Sequence, residues 1–479
     1  MPDVVETPQG LNSFGLAQGD ITPPVGMYHR MWGAAAHDVS TGVHRPLRAT
    51  ATWIGPRDNP EDGLALVAID HCVFWGRANA ELLDHIASRA GLERDRLMVA
   101  FSHTHGAGLL DPDRVTLPGG DQIAPYLDTM AETIVGLIAE AKAGAQPAVF
   151  TYGSGHCNLA AHRDYFDEVS GRFVCGFNPG AFSDDTVVVA RVTAEDGRLL
   201  ATFVNYACHP TTLAWQNTLI SPDFPGATRE VVEQATGAPC VFLQGASGDL
   251  GPREGFVGDP AIADRNGRQL GYAALSTLES LPPPLTRFAF AGPVESGAVL
   301  GPWHHVDLDE ARKLDLASWK RQGWIVPLPY RPDLPTVESS NRQRDRWLGE
   351  LQEAIGKGDE AHAAKCRAMV ERMDRQLTRF TDLPPGPDYP FLVRVWKTGD
   401  AFWVAIGGEH YQYLQVELRK RFPATPIVVM SLIDDWRPGY LPTAPTYGKA
   451  IYQEIIAILA AGSLEKLTEA IGDQIQEWV

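Results

Sequence analysis

Residues 96–108 read RLMVAFSHTHGAG. Five apolar residues, Leu97 to Phe101, lead into a polar turn that carries two histidines one residue apart. A continuous apolar run of this length suits a strand buried on both faces, which is the habit of sheets covered by helices. The same design recurs along the chain. LALVAID (64–70), LLATFVNYA (199–207), CVFLQG (240–245), FWVAIG (402–407) and PIVVMSL (426–432) are runs of the same kind. Helical patterns lie between the first runs, at ANAELLDHIASRAG (78–91) and APYLDTMAETIVGLIAEAKAG (124–144). Strand-length runs alternating with amphipathic helices define an α/β chain with a mixed or largely parallel central sheet and flanking helices.

Position then singles out the chemistry. Four of these runs end in a polar or glycine-rich cluster: SHTHGAG, CHPTT, ASGDLGP and GEHYQY. A fifth leads into IDDWRPGYLPT. In open α/β sheets, ligands bind beyond the carboxyl ends of the strands. His103, His105, His209, Asp249, Glu409 and Tyr440 can therefore meet there, although they lie far apart in sequence. If the strand persists through SHTH, residues i and i+2 share a face, so His103 and His105 enter one pocket while Thr104 turns away. Two imidazoles and a carboxylate make a zinc set that leaves a position open for water. Asp70 and Asp249, also at run ends, are suited to orient a ligand histidine. Each of these also has an ordinary structural role: a loop histidine, a turn residue or a helix cap.

The bulk numbers exclude other classes. A formal net charge of −18 removes the basic footprint that nucleic acid requires. No apolar run reaches the roughly 18 residues of a membrane span, and the first residues lack a signal-peptide pattern, so a cytoplasmic protein is expected. The six cysteines are scattered without a CxxC pair and are expected as free thiols. Residues 307–388 are charged and bounded by proline-rich stretches. The sequence from Glu338 to Phe380 reads as two helices joined at GKGD. The expectation is a helical hairpin inserted at 307–388, acting as cover or interface and carrying no chemistry.

The ordered set GDITPPVG, SHTHGAG, NLAAHRD, CHPTT, GASGDLGP, GGEHYQYL and GYLPTAPTYGKAIYQE runs from about residue 15 to 455. In this order it resembles the catalytic domain of the neutral/alkaline non-lysosomal ceramidases. The resemblance implies a single catalytic domain over 1–479, without the family's C-terminal immunoglobulin-like domain. It implies a Zn²⁺ cofactor held by His103, His209, Glu409 and Tyr440, with His105 beside the metal-bound water. It also implies that Arg163 and Tyr452 contact the substrate carbonyl. Two departures stand out: Gly245 occupies the position of a family serine, and GGE replaces PGE. The expected activity is zinc-dependent hydrolysis of an amide, ceramide-like or smaller, with no nucleic-acid partner and no transmembrane segment. A homo-oligomer is left open. The alternatives are a zinc lyase or esterase acting on a small carbonyl or sugar-like compound, and a serine hydrolase using Ser247.

Overall fold

The computed structural model describes residues 3–74, 76–380 and 383–479. Its core is an eight-stranded sheet made by β1 (Gln9–Asp20), β2 (Arg48–Pro56), β3 (Leu64–Ile69), β4 (Leu97–Phe101), β5 (Gln146–His156), β6 (Thr186–Ala194), β7 (Leu199–Tyr206) and β8 (Cys240–Gln244). The strand order is β8-β7-β6-β5-β1-β2-β3-β4. The sheet is mixed. The two outer pairs, β7 with β8 and β3 with β4, are parallel, and the five inner pairings are antiparallel. The parallel pairs coincide with the continuous apolar runs, as burial on both faces requires. On one face α1 (Gly76–Arg89) and α2 (Ile123–Ala143) cover the β1–β4 half. The other half is covered by α3 (Phe224–Thr236) and α4 (Pro260–Glu279).

A second sheet packs on the opposite face. It consists of β9 (Trp319–Pro329), β10 (Asp388–Thr398), β11 (Ala401–Ile406) and β12 (Ile427–Met430), in that order. The two sheets share a core of Phe14, Phe150, Phe203, Trp396, Trp403 and Met430, among others. The chain leaving β12 joins the two parallel edges. Ser431 N–H donates to Gln244 O at the end of β8, and Asp434 N–H donates to Val99 O in β4. The Asp434 carboxylate accepts from Val99 N–H (2.7 Å) and pairs with Arg394. The two outer strands β8 and β4, remote in the sheet order, thus meet the same segment.

The inserted hairpin is narrower than the sequence suggested. It comprises α5 (Val337–Lys357) and α6 (Glu360–Phe380), while residues 319–329 form the edge strand β9. That strand is charged and mostly solvent-facing, so it lacks the apolar run by which the other strands were found. Residues 381 and 382 of the expected insertion lie outside the described residues. The six cysteines are free, and among the described residues no helix is long and apolar enough to cross a membrane.

Candidate metal centre and its cavity

β4 ends at Phe101, two residues before His103. His103 then adopts a left-handed backbone (φ 65°), a conformation costly for a residue with a side chain. The alternation argument for His103 and His105 therefore fails, because no strand spans them. The bend turns both rings into one site by another route, and their centroids lie 5.0 Å apart. Thr104 does turn away, its hydroxyl donating to Ser221 O at 2.7 Å.

Three ligand-type atoms meet. His103 Nε2 lies 3.1 Å from His209 Nε2, and Glu409 Oε2 lies 3.4 Å and 3.1 Å from them respectively. All three residues are buried. A tetrahedral zinc with nitrogen and oxygen ligands about 2.0–2.1 Å away has ligand edges of about 3.3–3.4 Å, so the triangle has the size of one tetrahedral face. Backbone carbonyls set the ring tautomers. His103 Nδ1 donates to Cys72 O (2.9 Å) and His209 Nδ1 donates to Ser247 O (3.1 Å), so it is the Nε2 atom of each ring that faces inward. Burial, then the nearby Arg163, pushes His209 down to about 4, so its imidazole is neutral and free to donate its lone pair. Burial opposes the Glu409 charge, but the two histidines outweigh it and hold the carboxylate well below its usual range. Trp436 Nε1–H donates to Glu409 Oε1 (2.5 Å) and frees Oε2 for the centre.

The orienting role expected of Asp70 and Asp249 belongs to these carbonyls instead. Asp70 is locked in a two-pronged pair with Arg229 (2.8 and 2.5 Å). Asp249 accepts from the backbone and side-chain amide of Gln412 (2.7 and 2.9 Å). Both are engaged structurally, away from the imidazoles that would need them.

Tyr440 reaches the site through a two-residue parallel ladder in which it is the register partner of Glu409. Its ring lies nearly parallel to that of His209, with centroids 6.4 Å apart. Its hydroxyl accepts from Arg163 Nη2 at 3.1 Å. Arg163 is buried and also donates to Gly248 O through Nε (3.1 Å) and Nη2 (2.7 Å). Gly248 must be glycine: a Cβ there would lie 2.7 Å from Glu409 O, so the 246–249 loop can pass the Glu409 backbone only without a side chain. Burial and the neighbouring His103 and His209 push His105 well below the normal imidazole range. Its Nε2 is buried without a hydrogen-bond partner. Trp32 packs against the His105 ring at 5.1 Å. Tyr452 is 48% exposed and packs edge-on against Tyr440 at 5.8 Å. Tyr447 points elsewhere, donating to Leu459 O.

His105, Arg163, His209, Tyr440 and Tyr452 line one cavity of about 420 Å³. Trp32, Trp215 and Phe256 form one wall. α6 forms another, with Ala368, Glu371, Arg372, Arg375 and Arg379. The hairpin is thus part of the site and not merely a cover. Its arginines and Trp436 are the residues that reading the sequence missed. Arg372, Arg375 and Arg379 recur at i, i+3 and i+7, a helical face visible in the sequence, but only docking shows what that face meets.

Ser247 sits against an amide and not against a base. It is buried, and its hydroxyl accepts from Gln244 Nε2 (2.6 Å), an amide that cannot take a proton from it. Gly245 lies in a tight slot, where a Cβ would meet Ala207 Cβ and Gln415 Oε1 at 3.0 Å each.

A mixed α/β scaffold with a buried His-His-Glu cluster at its strand ends places the chain among folds that carry a metal-type site. The family is specific. The model of the neutral/alkaline non-lysosomal ceramidase N-terminal domain matches residues 13–253, half of the sequence, and the chain belongs to that family. Among solved structures, a neutral ceramidase from Pseudomonas aeruginosa is similar at 17% identity with a TM-score of 0.63. A ceramidase complexed with C2 is similar at 16% identity with a TM-score of 0.62. In both cases the similarity covers 98% of this chain and 74% of the other. No curated protein sequence matches.

Proposed function

We propose that this protein is a zinc-dependent hydrolase of amide bonds, with His103, His209 and Glu409 as ligands and Tyr440 completing the set. The mutual approach of two Nε2 atoms and one carboxylate oxygen to within 3.1–3.4 Å carries this reading. The similar structures are of ceramidases, whose substrate is an amide, and the bond class is taken from them. Zinc bound there supplies Lewis acidity and a water whose pKa is lowered toward neutrality. His105, neutral and with Nε2 unengaged, carries a proton from the attacking water to the leaving amine. Arg163 and Tyr452, both on the cavity lining, offer N–H and O–H donors to the carbonyl oxygen as its charge develops. Arg163 is already held by Gly248 O and Tyr440, so it needs little reorganisation. No serine is required, which fits Gly245 and the enclosed Ser247.

The test is metal content and hydrolysis measured together. Wild-type protein is expected to hold about one zinc and to cleave N-acyl amides in a chelator-sensitive way. His103→Ala is expected to lose both properties. Equal zinc in the two proteins, or amide cleavage that survives metal removal, refutes the proposal.

A further inference from the structure

The cavity wall formed by α6 carries more positive charge than the fold uses. Glu371 is clamped between Arg114 (2.5 and 3.1 Å) and Arg375 Nε (2.7 Å), and Arg375 also donates to Met31 O. This network accounts for Arg375 and Glu371. It leaves Arg372 and Arg379. Among the described residues, no carboxylate forms an ion pair with either. Arg372 is half-buried on the cavity side. Arg379 is only 6% exposed, and its Nε is buried without an acceptor. The Arg379 guanidinium lies over the Trp436 ring, 5.5 Å from its centroid, and that indole donates to Glu409. The charge therefore stands one aromatic ring away from the proposed metal centre. Burial, followed by the neighbouring Arg372 and Arg375, lowers Arg379 to about 10, so it remains cationic at neutral pH.

An unpaired buried guanidinium is costly for a fold, and a planar fork of donors matches a carboxylate better than any other common group. Another part of the lining, Trp32, Trp215 and Phe256, suits an apolar chain. From these two walls we infer that the substrate is an anionic amide: an N-acyl compound whose acyl chain lies on the aromatic wall and whose carboxylate is received by Arg379 and Arg372. The identification rests on the amide-hydrolase reading for the reaction, but the carboxylate site rests on the arginines alone. A neutral two-hydroxyl headgroup such as that of ceramide offers these guanidiniums no charge.

Two measurements separate the two claims. First, binding of N-lauroylglycine to the protein is compared by calorimetry with that of N-lauroylethanolamine, a neutral partner with the same acyl chain. Wild type is expected to bind the carboxylate more tightly by about 10- to 100-fold, the range of charge-assisted hydrogen bonds. Arg379→Met, which keeps the apolar stem volume, is expected to remove most of that preference without loss of thermal stability. Arg372→Gln, at a half-exposed position, carries the same comparison if the first variant does not fold. Equal binding of the two compounds by wild type, or a preference unchanged in the variants, overturns the inference. N-lauroyltaurine distinguishes carboxylate from sulfonate: equal or tighter binding of the sulfonate overturns the carboxylate assignment. Second, the zinc-loaded enzyme is assayed on the same pair, and the ratio of kcat/KM for carboxylate over neutral amide is expected to exceed 10 and to collapse in Arg379→Met. Selective binding without cleavage of either amide would sink the hydrolase reading and leave the carboxylate site standing.

Discussion

Replacing Glu371 by glutamine tests whether the hairpin is fastened to the core by a buried ion network. The carboxylate is 8% exposed and receives Arg114 in a two-pronged pair and Arg375 on one oxygen. Burial disfavours its charge, but Arg375 and Arg114 prevail and hold Glu371 at about 2, against an ordinary value of 4.5. At 1.36 kcal/mol per pKa unit, that depression corresponds to about 3 kcal/mol of stability at neutral pH. Because the folded value lies below the unfolded one, this contribution is complete above about 4.5 and is lost as pH falls through about 2. At pH 3 less than half should remain, by the same linkage. Glutamine keeps the shape and removes the charge, which takes the shared carboxylate from Arg114 and Arg375 and leaves Arg114 with Asp111 alone (3.4 Å). Removing one partner of a buried pair commonly costs about 3–5 kcal/mol. The assay is hydrogen exchange of the amides in Glu360–Phe380, compared between wild type and Glu371→Gln at each pH so that intrinsic rates cancel. At pH 7 these amides are expected to exchange about 100-fold faster in the variant. At pH 3 the ratio is expected to shrink markedly. A pH 7 ratio below about 3, or a ratio equal at both pH values, refutes the reasoning.

Trp436→Phe keeps a ring under Arg379 and removes the donor to Glu409 Oε1; zinc affinity, measured by chelator competition, is expected to fall about 10- to 100-fold. A change below twofold would mean that the indole N–H does not orient the ligand. His105→Gln is expected to retain zinc and lose about 10²–10⁴ in kcat, and loss of the metal together with activity would instead place His105 in the ligand set. Gly245→Ser places a side chain against Ala207 and Gln415, so it is expected to cost about 1–3 kcal/mol in denaturant unfolding without raising amide cleavage. A stable, faster Gly245→Ser enzyme would show that the slot accepts a working serine.

Burial on both faces made part of the fold legible. The apolar runs around 64–69, 97–101, 199–206, 240–244, 401–406 and 427–430 each proved to be a strand; the few polar residues within them, Thr202, Asn205 and Gln244, are buried with the rest. β1, QGLNSFGLAQGD, carries no such signal. Its glycines serve packing: a Cβ on Gly15 would lie 1.9 Å from Ala141 O of α2, so the helix rests directly on the strand backbone. That requirement belongs to the partner element and leaves no periodicity in the strand. The site divides in the same way. His103 and His209 could be placed at strand ends from their surroundings, whereas the carbonyls of Cys72 and Ser247 that orient them are groups every residue possesses. Their role appears only when the chain brings them within 3.1 Å of an imidazole. The left-handed turn at His103 was equally hidden, because histidine carries no mark of it.

The division between core and hairpin bears on how this chain departs from the enzymes it resembles. The His-His-Glu cluster is held by strand ends and by two loop carbonyls, and its own side chains are almost fully buried. Such a cluster tolerates little displacement, since a shift of a few tenths of an ångström opens a triangle of 3.1–3.4 Å. α6 is fastened differently. Its grip on the rest of the chain includes the Arg114–Glu371–Arg375 network, Arg375 on Met31 O and the Arg367–Asp38 pair, and much of its surface is solvent-facing. Substitutions on its cavity face can therefore change the charge presented to a substrate without moving the ligands. Gly245 and the α6 arginines then belong to one argument: the scaffold keeps a metal-type centre, while the groups around it fit a ligand more acidic than a neutral sphingolipid.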